Sequence, residues 1–179
     1  MNEGLVHFLG FDPGHTTGFM RAVYNPGLNA LTIVRWDPII LNLQGLENPM
    51  AGPPISVFQD LDRQVQNEFA WELDGAVVAV HTAIEDFVGG RGGDVQNTVN
   101  KIIGMIMSNV LNARRSDERF SLPKVYRNTS RYPYLPKIKA VVEAKKFKAI
   151  SHHSVDAGAH LLHRVAYEYP NEFSTMSIS

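Results

Sequence analysis

The 179-residue sequence contains no cysteine. This excludes disulfide staples and thiolate metal sites, so any metal must be held by oxygen and imidazole groups. Long apolar runs are missing too. A bilayer-spanning helix needs about 20 consecutive apolar residues, and GAVVAV at 75–80 falls far short of that. The opening Met-Asn-Glu-Gly has no basic segment followed by an extended apolar stretch, so we expect no secretory leader and a cytoplasmic location. Repeats and low-complexity tracts are absent. Basic residues are scarce in the first hundred positions, with four Lys/Arg against twelve Asp/Glu, and residues 101–150 reverse this with twelve against three. The net charge of −1 hides that asymmetry. It fits either plain solvated surface charge or an acidic metal centre beside a basic, phosphate-binding face.

Hydrophobic periodicity and turn residues divide the chain clearly. Residues 6–11 form a buried-looking strand. Residues 18–24 and 30–36 flank the turn sequence NPGLN and predict a hairpin. Residues 37–54, with Pro38, Pro49, Gly52, Pro53 and Pro54, predict a loop. Val57, Phe58, Leu61, Val65 and Phe69 recur at helical spacing within a helix expected over 55–73. Residues 76–84 predict another apolar strand. GGRGG at 89–93 predicts a loop, and Asp94 caps a helix expected to reach 114. A short strand at 124–128, a basic helix at 136–148 and a last helix from 151 or 152 to 167 complete the pattern, and the polar tail should fray. The order β-β-β-α-β-α-β-α-α predicts a single α/β domain over 1–179, with its core at about 5–168 and a five-stranded mixed sheet flanked by helices. The apolar residues of 102–111 cover more than one helix face, enough for a core contact and a dimer contact.

The first strand ends in an acid, within FLGFDPGHTTGF. Asp12 there loses hydration and needs compensation, by a cap or by a cation. Glu85 ends the fourth strand, within VVAVHTAIED. If the two strands are parallel neighbours, both carboxylates meet at the C-terminal edge of the sheet, where open α/β sheets carry their sites. Asp156 and His153 lie three residues apart in SHHSVDAGAHLLH and share a helix face. Three carboxylates and one imidazole suit a hard divalent cation such as Mg²⁺ or Mn²⁺. Taken singly, each has a plain structural role as a turn cap, a strand-end acid or a helix-surface group.

FLGFDPGHTTGF, AIEDF and HHSVDAGAHLL, in that order and spacing, resemble the three active-site blocks of RuvC-type Holliday junction resolvases. The likeness spans about residues 5–165 and implies an RNase H-like fold of the retroviral integrase superfamily. It implies that Asp12, Glu85, His153 and Asp156 are the catalytic and metal-binding residues, with position 153 carrying Asp in many members and His in others. The implied activity is two-metal phosphodiester hydrolysis, with two Mg²⁺ or Mn²⁺ ions per site. A homodimer would place paired symmetric nicks in a four-way DNA junction, leaving 5′-phosphate and 3′-hydroxyl ends, in DNA recombination and repair. In this frame Phe87 would stack on an unpaired base, one residue before the position where the family has its aromatic. Arg91, Arg127, Arg131, Lys137 and Lys139 would meet phosphate.

Other readings share these residues. An RNase H-like nuclease cutting flaps, branched DNA or RNA–DNA hybrids would need the same metal site. A non-catalytic module binding branched DNA would keep the fold without the chemistry. DPGHTTG also resembles the phosphate hairpin of actin and sugar-kinase-type proteins, but that architecture needs two such domains.

Overall fold

The computed structural model describes residues 4–14, 16–40, 55–69, 75–86, 94–147 and 150–179. The elements run β1 (Leu5–Asp12), β2 (Thr16–Asn25), β3 (Ala30–Arg35), β4 (Ile39–Ile40), α1 (Ile55–Asn67), β5 (Val77–Asp86), α2 (Asp94–Ser116), β6 (Lys124–Arg127), α3 (Leu135–Lys145), α4 (His152–Glu168) and β7 (Ser177–Ile178). Strand order across the sheet is β6-β5-β1-β2-β3-β7, with β4 paired to β2. β1 is antiparallel to β2 and parallel to β5, and β6 is parallel to β5. The sheet is therefore mixed and flanked by helices on both faces, an RNase H-like arrangement.

Alternation along the central strands sorts side chains between two cores. Leu9 and Phe11 of β1, with Val80 and Ile84 of β5, pack under α1 and α2 against Leu61, Val65, Ile102 and Ile106. Val6 and Phe8, with Met20 and Ala22 of β2, pack on the other face against Ile138, Leu161, Leu162 and Val165 of α3 and α4. Asp12 continues the Phe8 side of β1, and Glu85 takes the side of β5 opposite Ile84. Both carboxylates therefore face α4.

α4 lies directly on the sheet, because two strand positions lack side chains. A Cβ on Gly10 would strike the carbonyl of Ala157 and come within 2.9 Å of the Leu161 Cβ. A Cβ on Gly18 would strike the backbone of His153. The helix starts cleanly: the Ser151 hydroxyl accepts a hydrogen bond from the Ser154 amide at 3.0 Å.

The structure corrects the expected five strands. β4 and β7 are two further pairings of two residues each, too short to show periodicity. The expected frayed tail is ordered: β7 pairs parallel with β3, and Met176 is buried beside it. α1 ends at Asn67, short of 73, in a turn that buries Phe69. α3 ends at Lys145, where Lys146 takes a left-handed φ of 52° and its amide closes the last turn. No helix among the described residues is long and apolar enough to cross a membrane.

Candidate active site

Parallel pairing of Phe11 with Ile84 brings the next residues, Asp12 and Glu85, together at the C-terminal ends of β1 and β5. Beyond β6 the chain makes a 3-10 turn, Asn128–Arg131, at the same sheet edge. The first turns of α4 close the opposite side. These pieces line an open cleft of about 460 Å³ that contains Asp12, Glu85, Arg131, His153 and Asp156.

Asp12 and Glu85 are 8% and 2% exposed, so neither is hydrated as an ordinary carboxylate would be. Burial, the charge of Glu85 and a hydrogen bond to Glu85 push the Asp12 carboxyl up to about 8. Burial acts on Glu85 in the same direction, but it is outweighed by the hydrogen bond and charge of His160 together with Arg131. Glu85 is held below the usual range. The two carboxyls are thus pushed in opposite directions, Asp12 toward its protonated form and Glu85 toward its ionised one.

Arg131 supplies the cation this cluster requires. Its Nη1 donates to Glu85 Oε1 and Oε2 at 3.1 and 3.0 Å and lies 3.5 Å from Asp156 Oδ2. Burial and the charge of Glu85 raise the Asp156 carboxyl, against the opposing pull of Arg131. His153 Nδ1 lies 2.9 Å from Asp12 Oδ2, and burial with the charge of neighbouring His152 lowers the His153 pKa.

Among the described residues no three His, Asp or Glu side chains converge as a ready metal cage. The carboxylates turn instead toward Arg131, His160 and His153. The donor set nonetheless fits a hard divalent cation. Three carboxyls and an imidazole share one cleft, and a guanidinium already stands between Glu85 and Asp156, where positive charge is needed.

The expected DNA-contacting residues divide differently. Arg131 lines the cleft. Arg127 and Lys139 are exposed outside its described lining. Lys137 turns to the C-terminal segment, where its Nζ donates to the Phe173 carbonyl at 3.4 Å and sits 4.3 Å from the Phe173 ring. Phe87 and Arg91 lie outside the described residues. His160, which the sequence reading omitted, reaches Glu85 from the core at 3.0 Å. Its signal was its spacing: positions 153, 156 and 160 fall on one helix face.

No family model matches the sequence, and no curated protein matches it. Solved structures do match its fold. Thermus thermophilus RuvC in complex with a Holliday junction substrate superposes with a TM-score of 0.66 at 14% identity, covering 93% of this chain and 97% of that one. A second Thermus thermophilus RuvC structure gives 0.62 at 14% identity, with the same coverage. A yeast mitochondrial Holliday junction resolvase gives 0.54 at 14% identity, covering 94% of this chain and 85% of that one. The chain has the fold of these resolvases over nearly its whole length.

Proposed function

We propose that this protein is a metal-dependent endonuclease that resolves four-way DNA junctions. The observation that carries the reading is the meeting of Asp12, Glu85, His153 and Asp156 in one cleft at the parallel strand ends, with the Arg131 guanidinium as counterion to Glu85. Buried acids whose affinities for a proton are driven apart mark a site built for charge. The same fold in resolvases, one of them solved with a junction substrate, supports the choice of substrate.

Asp12, Glu85, Asp156 and His153 would hold two Mg²⁺ or Mn²⁺ ions. The ions would supply activation of the attacking water and stabilisation of the leaving 3′ oxygen, giving 5′-phosphate and 3′-hydroxyl ends. The chain's own groups prepare for this. Asp12 would hold a cation as its carboxylate, releasing its proton to solvent on binding. Glu85 is already ionised. Arg131, when released from the carboxylates, presents its guanidinium to a backbone phosphate at the cleft mouth. Paired nicks need two coupled sites. Ile103 and Met107 of α2 are partly buried against the core, and Leu111, one turn beyond Met107, is 37% exposed, so the proposed homodimer contact centres on Leu111.

The decisive experiment compares cleavage of a synthetic four-way junction, a flap and an RNA–DNA hybrid, each with Mg²⁺, Mn²⁺ or EDTA. Metal-dependent paired nicking of the junction supports the reading. Preference for the hybrid or the flap would replace it with a broader nuclease, and binding without cleavage would leave a branched-DNA module.

A further inference from the structure

We propose that His160 is a positioning residue that fixes Glu85 for cation binding, an inference that rests on the nuclease reading above. His160 is fully buried on α4, and its Nε2 lies 3.0 Å from Glu85 Oε2. An ionised carboxylate only accepts hydrogen bonds, so Nε2 must carry the hydrogen and donate it. The other ring nitrogen, Nδ1, is buried with no hydrogen-bond partner. A residue kept only to fill the core would avoid that orphaned nitrogen, because an apolar ring packs as well without it. The contact with Glu85 is therefore the feature of the imidazole that a hydrocarbon ring could not supply.

Glu85 is gripped from two sides. Arg131 holds it from the cleft, with its side chain 18% exposed, while His160 holds it from the core with none. The cleft-side grip is the one that a metal ion and a phosphate would dissolve. His160 then remains as the anchor that keeps the Glu85 carboxylate from rotating, as outer-shell partners do for metal-binding carboxylates. The Tyr126 ring lies nearly parallel to the imidazole, with centroids 6.4 Å apart. α4 thus serves Glu85 at 160 while it presents His153 and Asp156 to the cleft.

The test is calorimetric Mn²⁺ titration of the full chain as wild type, His160→Phe and His160→Gln. His160→Phe keeps ring volume without a donor and should lose on the order of 10–100-fold in Mn²⁺ affinity. His160→Gln, which can still donate, should recover most of it. Junction affinity in EDTA and the KM for junction should stay at wild-type values while kcat falls. A folded His160→Phe protein with wild-type Mn²⁺ affinity overturns the inference. If His160→Phe does not fold, imidazole ¹⁵N spectra of the wild type decide. The Nε2–H resonance of His160 should shift on Mg²⁺ addition, and a resonance unmoved at saturation overturns the proposal. A wild type that binds neither cation overturns the nuclease reading itself, and the inference with it.

Discussion

Asp12→Asn fixes the side chain in a neutral form and keeps its shape, so it separates what Asp12 costs the fold from what its ionised form contributes to the chemistry. In the cation-free protein the Asp12 carboxyl titrates near 8, against 3.8 for an ordinary aspartate. Between those values the folded state keeps a proton that the unfolded chain has lost, so stability falls as pH rises across the window. One group contributes about 1.4 kcal/mol per pH unit, and pH 7 lies about three units above 3.8, so the accumulated loss is about 4 kcal/mol. Asparagine is neutral at every pH and escapes this slope. In EDTA at pH ~7, Asp12→Asn should therefore be the more stable protein, with a gain on the order of 2–4 kcal/mol, or roughly 5–10 °C in Tm for a chain of this size. Near pH ~4 the advantage should vanish. The same substitution should lower cleavage on the order of a hundredfold, because it removes a charge that the reaction needs. Urea unfolding from about pH 4 to pH 8, with and without Mn²⁺, reads all of this. Mn²⁺ should stabilise the wild type more than the variant and release about one proton per protein at pH ~7. Parallel pH profiles for the two proteins in EDTA would refute the assignment of the proton to Asp12.

Arg131→Ala leaves ionised Glu85 short of a buried partner. It should destabilise the cation-free protein by about 3 kcal/mol and reduce the salt slope of junction binding by about one, measured by unfolding and by titration at several ionic strengths. His153→Asp should keep cleavage and remove the imidazole's own inflection from the acid limb of the pH profile. In the wild type that inflection should fall below the ordinary histidine pKa, because burial and His152 lower the His153 value, and a pH–rate profile checks it. Gly18→Ala should cost about 1–3 kcal/mol, because its methyl group must displace the start of α4. Cleavage should fall more than junction binding. Leu111→Glu should shift the protein toward monomer in sedimentation, with single nicks replacing paired ones.

Much of this site was legible in the sequence because strand burial and strand ends are local signals. Two apolar strands, each closed by an acid, would bring those acids together if they ran parallel as neighbours, and the register of β1 against β5 has that form. The spacing of His153 and Asp156 placed both on one face of α4, and both line the cleft. What stayed hidden depends on contacts between distant segments. Nothing local distinguishes Lys137, which packs on Phe173, from Arg131, which reaches Glu85 across 46 positions. His160 sits in an apolar helix stretch where a histidine looks like ordinary core. β7 consists of two residues whose partners in β3 lie 147 positions earlier, a pairing that no periodicity announces.

The contact of α4 with the sheet at Gly10 and Gly18 has a consequence for how such a site can change. Where side chains separate a helix from a sheet, every substitution in the layer alters the gap. Here backbone rests on backbone, and the spacing between the strand-borne and helix-borne groups is set without reference to what those groups are. On the proposed nuclease reading, position 153 would then be free to exchange imidazole for carboxylate, and with it the preferred ion, without moving Asp156 or the strands. The two glycines act as a fixed gauge. The identity of the ligands becomes a variable that single substitutions can explore, while the dimensions of the site stay constant.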